Sequence, residues 1–124
     1  MNIGKMLAIR TVMMPKDTNY MGHIFGGRIL SLIDLAAAQH SMKITPKKFV
    51  TKVMKEVNFI APVYVGDAVN FFTETIKTGH TSITVKVVVE AESIKDPDKM
   101  REVTTAEVIM VAVDNNNRPV KLSD

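Results

Sequence analysis

One carboxylate in this sequence stands where carboxylates are rarely found. Asp34 lies inside the apolar run Leu32-Ile33-Asp34-Leu35-Ala36-Ala37-Ala38. A charge in apolar surroundings is costly without a partner, and Asp is a poor residue for a helix interior. The helical neighbours at i−4 and i+4, Leu30 and Ala38, offer it no hydrogen bond. Two readings stand: an Asp on the one exposed edge of a helix, or a carboxylate kept there to act as a general base on water or as a nucleophile. A local Ser-His-Asp triad is not supported. Ser31 lies at i−3, but His40 lies six residues on, roughly 240° farther round the helix.

Gly26-Gly27 stand just before this run. A helix N-terminus presents free N–H groups and a partial positive charge, and glycine lets another group approach the backbone closely. Such a place could hold a carbonyl and the oxyanion formed when it is attacked. The plainer reading is a glycine pair that only turns a loop into a helix. Gly-Lys-Ser/Thr is absent, so no phosphate-binding P-loop is expected. His23, His40 and His80 fall in a loop, a helix and a turn without HExxH-type spacing, so each reads as a surface or hydrogen-bonded residue and no metal site is expected. Asn19, in the loop before the helix, is of a type that stabilises turns. The absence of cysteine excludes a disulfide framework, a thiolate metal site and a cysteine nucleophile.

The elements that must position these residues can be read from periodicity. Met6 to Val12 reads as a first strand, and Met14 to His23 as a loop rich in turn formers. Arg28 to about Lys43 contains no Gly or Pro, and Ile29, Leu30, Ile33, Ala37 and Ala38 recur at helical spacing. This helix is apolar on several sides, so it is expected to be wrapped by other elements. Strands follow at Phe49 to Phe59, Ala68 to Thr78, Ser82 to Glu92 and Glu102 to Val113, with turns at Gly66-Asp67, Gly79-His80 and Asp96-Pro97-Asp98. Short turns between long strands predict an antiparallel sheet curved around the helix, an α+β architecture. The last strand is apolar on both faces, with Val108, Met110 and Ala112 on one and Ile109, Val111 and Val113 on the other. One helix covers one face, so the other is expected to meet a second copy of the chain.

The 124 residues, 46% hydrophobic and 23% charged, fit one globular domain. The formal charge of +3 is spread along the chain, which suits a polyanionic small ligand better than a nucleic acid. Neither a membrane span of about 18 apolar residues nor a signal peptide is read, so a cytoplasmic protein is expected.

The stretch Met14-Pro15-x-Asp17-x-Asn19-x-x-Gly22-x-x-Phe25-Gly26-Gly27, followed by Ile33-Asp34, resembles the hotdog acyl-CoA thioesterases, closest to the YciA-type and cytosolic (brain-type) acyl-CoA hydrolases. Further matches are Phe59-x-x-Pro62-Val63-x-Val65-Gly66-Asp67, Thr78-Gly79-x-Thr81-Ser82 and Val111-Ala112-Val113-Asp114, in order along most of the chain. The resemblance implies a single hotdog domain over residues 1–124, with a long central helix wrapped by a curved antiparallel sheet of five or six strands. It implies paired subunits with active sites at their interface, assembled as a dimer or a trimer of dimers. It makes Asp34 the catalytic carboxylate and Asn19 a second catalytic or water-positioning residue from the partner subunit. Gly27, with Gly26 beside it, becomes the backbone donor to the carbonyl. Thr78, Gly79, Thr81 and Ser82 would contact the coenzyme A moiety. His23, at a position that varies in the family, is carried as a substrate contact.

The activity so implied is hydrolysis of an acyl-CoA to a free acid and coenzyme A, with no cofactor. A hotdog dehydratase or hydratase is the rival enzyme, and would need a His facing the carboxylate. A non-catalytic acyl-CoA-binding protein is the rival from another class.

Overall fold

The computed structural model describes residues 4–123. Five strands, β1 (Met6–Val12), β2 (Lys48–Phe59), β3 (Ala68–Thr78), β4 (Ser82–Ser93) and β5 (Asp96–Val113), form one sheet in the order β1-β3-β4-β5-β2, every neighbouring pair antiparallel. A single long helix, α1 (Gly26–Ile44), lies across one face. Ile29, Leu32, Ile33, Ala36 and Ala37 of α1 are buried with Phe71, Val85, Val87, Val89, Val108 and Met110 of the sheet. The strict alternation of Ile83, Val85, Val87, Val89 and Ala91, each fully buried, is the period-2 signal of a strand with one face on a core. This arrangement is the hotdog fold, with the helix as filling and the sheet wrapped around it.

The sequence-predicted elements form within one or two residues of their expected bounds, with one exception. The turn expected at Asp96-Pro97-Asp98 falls two residues earlier, at Ile94-Lys95, and β5 begins at Asp96. Pairing of Ser93 with Asp96 closes the hairpin there, and the ladder extends β5 through positions that look like turn residues.

Two expectations about cover need correction. The helix is not enclosed all round: Ser31, Leu35 and Met42 are exposed, and Asp34, Ala38 and Gln39 are half-buried along the same side. The second face of β5, in turn, is partly covered by its own chain. The tail turns back at Asp114, Val120 N–H donates to the Ala112 carbonyl at 2.9 Å, and Val111 and Val113 are buried, leaving Ile109 half-buried.

His40, on the core side of α1, is fully buried. Its Nδ1 lies 2.8 Å from Thr73 Oγ1 and its Nε2 2.7 Å from Thr75 Oγ1. Thr73 donates to the Met6 carbonyl at 3.4 Å, so its oxygen accepts from His40 Nδ1–H and leaves Nε2 to accept from Thr75. Burial holds the His40 pKa below its ordinary value, with the Glu74 carboxylate acting the other way. The unfolded chain takes up this proton near pH 6.5 while the folded chain does not. Stability is therefore expected to be full above about pH 6.5 and to fall as the pH drops below it. Thermal melts between pH 7.5 and 5.5 check this, and the loss should be smaller in His40→Gln; an equal loss in both proteins would assign it to other groups.

Candidate active site

The N-terminus of α1 is left open. Phe25 occupies the N-cap position and its side chain makes no capping hydrogen bond. Arg28 N–H and Ile29 N–H both turn to the Phe25 carbonyl, at 2.9 and 3.4 Å, while the amides of Gly26 and Gly27 have no acceptor among the described residues. The loop before them is tied from behind. Asp17, buried, accepts from Met14 N–H at 2.9 Å and pairs with Arg28 Nε at 3.2 Å, and its carbonyl accepts from Phe25 N–H at 2.7 Å.

Asn19 serves this loop with one end only. Its Oδ1 accepts from Met21 N–H at 2.9 Å and His23 N–H at 3.1 Å, which is the turn-bracing role. Its Nδ2 donates to nothing among the described residues. Asn19, His23 and Gly26 line a cleft of about 310 Å³ together with Ile24, Ile29, Phe59 and the segment from Ile60 to Val63. The His23 ring stands edge-on to Tyr64, centroids 5.3 Å apart.

Asp34 is half-buried at the margin of the exposed side of α1, facing β2. Its partner is a residue that the sequence reading missed: Thr51 of β2 donates its hydroxyl to Asp34 Oδ1. A carboxylate has two oxygens and about four lone-pair sites, so Oδ2 stays open. No helical neighbour could supply this bond, and Ser31 Oγ is spent on the Arg28 carbonyl at 2.7 Å. The available signal was one polar side chain among the helix-facing residues Phe49, Thr51 and Met54, but the register breaks after Thr51 and blurs the alternation.

The Thr78–Ser82 turn lies at the Asp34 end of the sheet. Ser82 pairs with Val111, and the next β5 residue, Met110, pairs with Thr51. Gly79 N–H donates to the Ser82 carbonyl at 2.8 Å, and the Thr81 carbonyl accepts from Ala112 N–H at 2.9 Å. The cleft lies at the other end, where Phe59 pairs with Thr104. From Thr104 to Val111 is seven strand residues, about 24 Å. The sequence-predicted site residues thus form two groups: Asp34 with Thr51 and the turn carrying Thr78, Gly79, Thr81 and Ser82, and Gly26 and Gly27 with Asn19 and His23. Within the single chain neither His23 nor His40 contacts Asp34.

The sequence profile of the thioesterase superfamily matches residues 21–97. An uncharacterized acyl-CoA thioester hydrolase of Haemophilus influenzae is 41% identical over 114 residues, spanning 90% of this chain and 74% of that protein. The acyl-CoA thioester hydrolase YciA of Salmonella typhimurium is 36% identical over 115 residues, spanning 91% of this chain and 86% of that one. Among solved structures, an aspartate-to-alanine mutant of HI0827, a hexameric broad-specificity acyl-coenzyme A thioesterase, superposes with a TM-score of 0.90 at 37% identity, covering 94% of this chain and 86% of that one. The chain belongs to the thioesterase superfamily, on the side of it that holds the YciA-type acyl-CoA hydrolases.

Thr51 meets the site only through Asp34, so any part it plays in the reaction is one of positioning. A hydrogen bond to a charged group contributes about 1.5–3 kcal/mol. Thr51→Val, which keeps the shape and removes the donor, is expected to lower kcat for thioester hydrolysis roughly tenfold or more. KM should change little, and Thr51→Ser should restore the rate. A fall in thermal stability without a fall in kcat would make the bond structural only.

Proposed function

We propose that this chain hydrolyses acyl-CoA thioesters to a free carboxylic acid and coenzyme A, using Asp34 as general base. The observation that carries this reading is the pairing of chemistries on one helix: a carboxylate held through one oxygen by Thr51, and two unpartnered amides at Gly26 and Gly27. Asp34 Oδ2 takes a proton from a water as that water attacks the thioester carbon. The carbonyl oxygen becomes an oxyanion received by the helix amides, with Asn19 Nδ2 as a further donor. Collapse of the tetrahedral intermediate breaks the C–S bond, and the proton held by Asp34 goes to the departing thiolate. Nothing in this sequence of steps calls for a cofactor.

The base and the amides of one chain cannot reach the same carbon. Gly27 and Asp34 are seven residues apart, on the same side of α1 to within about 20°, but roughly 10 Å apart along its axis. An oxyanion donor must stand about 3 Å from the reacting oxygen. A second copy with its helix antiparallel to the first sets Gly27 of one chain beside Asp34 of the partner subunit, twice over. The same pairing covers the open side of α1 at Leu35 and Met42 and the free edge of β2. The turn at Thr78–Ser82 then lies on the Asp34 side of each shared site, where it would meet the coenzyme A moiety. The likeness to the hexameric HI0827 supports assembly of such dimers as a trimer.

Asp34→Ala, purified and shown to be folded, is expected to lose at least about 10²-fold in free-thiol release from acyl-CoA, the low end for acid–base catalysis. Turnover near that of the wild type would end the assignment. The shared site is tested by mixing. Asn19→Ala and Asp34→Ala, each impaired alone, are unfolded together and refolded as hybrids. A random equal mixture makes half of its dimers mixed, each with one intact site of two, so recovery of roughly a quarter of wild-type activity is expected by counting on a two-fold interface. Hybrids shown by mass to form, yet no more active than the parents, would place the working residues within one chain.

A further inference from the structure

Each of the two glycines at the start of α1 carries an aromatic ring. A Cβ on Gly26 would lie 3.3 Å from Phe59 Cε1, and a Cβ on Gly27 would collide with Phe25 Cε2. Both rings are 56% exposed, so neither is core packing. The glycines therefore have a second consequence besides baring their amides: they let two rings close on the helix start from the N-cap and from the end of β2.

Phe59 is aimed there by a local irregularity. The register Met54↔Val108 and Lys55↔Glu107, if continued, would set Asn58 opposite Thr104 on the helix side. One extra residue between Lys55 and Asn58 sets Phe59 there instead. The extra residue is accommodated at Glu56, whose φ of 54° is a conformation that L side chains rarely adopt. Strain of this kind persists where the surrounding structure imposes it, and it gathers at functional sites. Its result here is an exposed ring on the wall of the cleft, continued by Ile24, Ile29, Ile60 and Val63.

We propose that Phe25 and Phe59 are specificity-determining residues: the acyl group of the substrate lies along the two rings that stand on Gly26 and Gly27, and the rings set the preference for aliphatic chains of several carbons over acetyl. This rests on the thioester reading of the same site. A thioester sulfur packs favourably on an aromatic ring, and each methylene taken from water against one contributes about fourfold in binding. The rings favour longer chains over acetyl because acetyl has no methylene to place there.

The test compares kcat/KM of the intact oligomer for acetyl-, butyryl-, hexanoyl- and octanoyl-CoA. In Phe59→Ala and in Phe25→Ala the ratio of octanoyl to acetyl is expected to fall at least tenfold, and Phe59→Leu should recover most of it. Gly27→Ala must displace the Phe25 ring, so it should lower the same ratio in the wild-type background and add nothing in Phe25→Ala. Alanine variants that slow all four substrates by one common factor would overturn the proposal, because rings that only support the helix start affect every substrate alike. If an alanine variant fails to assemble, Gly27→Ala decides: an unchanged ratio overturns the proposal. A wild-type protein that releases no thiol from any acyl-CoA would instead remove the thioesterase reading itself.

Discussion

Attack on a thioester needs a base and an oxyanion donor at one carbon, and the groups proposed for these roles, Asp34 and the Gly27 amide, stand seven residues apart on α1. The rise of an α-helix is fixed at 1.5 Å per residue, so no side-chain rotation closes a gap of roughly 10 Å. Much of the architecture around the helix is consistent with that constraint. The side of α1 that holds Gly27 and Asp34 stays uncovered in the single chain, as do Leu35 and Met42 beside it. The sheet curls over the opposite side only, where Ile29, Leu32, Ile33, Ala36 and Ala37 meet the buried valines of β4. A monomer that finished wrapping its helix would bury the groups to which the proposed mechanism assigns the reaction.

Leaving the helix start open has a structural cost that is met elsewhere. An N-cap Ser, Thr, Asp or Asn would satisfy one of the free amides and add about 1 kcal/mol, and Phe25 does not. The loop is anchored behind the helix instead. Asp17 holds Met14 N–H and Arg28, and Ile24 N–H donates to the Val63 carbonyl at 2.9 Å. The facing turn is locked by Asp67, buried, which accepts from Tyr64 N–H at 3.0 Å and from Arg101 at 2.7 Å, while Arg101 also stacks over the Tyr64 ring. These carboxylates bind backbone and cations away from the cleft, and the two glycine amides have no acceptor among the described residues. Rigid surroundings with unpartnered donors at the centre are what electrostatic preorganisation requires.

The sequence made legible what depends on period and on chain order. The alternation of Ser82 to Glu92, turn residues between apolar stretches and one long run without Gly or Pro were enough to place the helix and the five strands, and Asp34 stood out because an apolar helix has no ordinary use for it. What depends on register was hidden. Thr51 acquires its role only because β2 pairs with β5 so that residue 51 faces the helix, and two register breaks in β2 defeat any count of alternation. The same breaks hid Phe59. The β5 hairpin began earlier than its Asp-Pro-Asp sequence suggests, and the burial of Val111 and Val113 was not foreseen. Asn19 was read as a turn brace or a catalytic group; its oxygen performs the first role and its amide is left for the second.

The helix carries two titratable residues that threonines from the sheet reach, and their different fates show how position on a helix selects chemistry. His40 lies toward the core, where both ring nitrogens meet threonine hydroxyls of β3 and desolvation keeps the ring neutral. All its hydrogen-bonding capacity is used, so it can bind nothing else. Asp34 lies six residues earlier, roughly 120° round the helix by the shorter way, at the margin of the open side. There a single threonine, on β2, engages one oxygen and leaves the other unpaired. Full satisfaction ties His40 into the core, whereas Asp34 keeps an oxygen open to water or to a ligand. The number of hydroxyls that the facing strand supplies is therefore as informative about function as the identity of the residue on the helix.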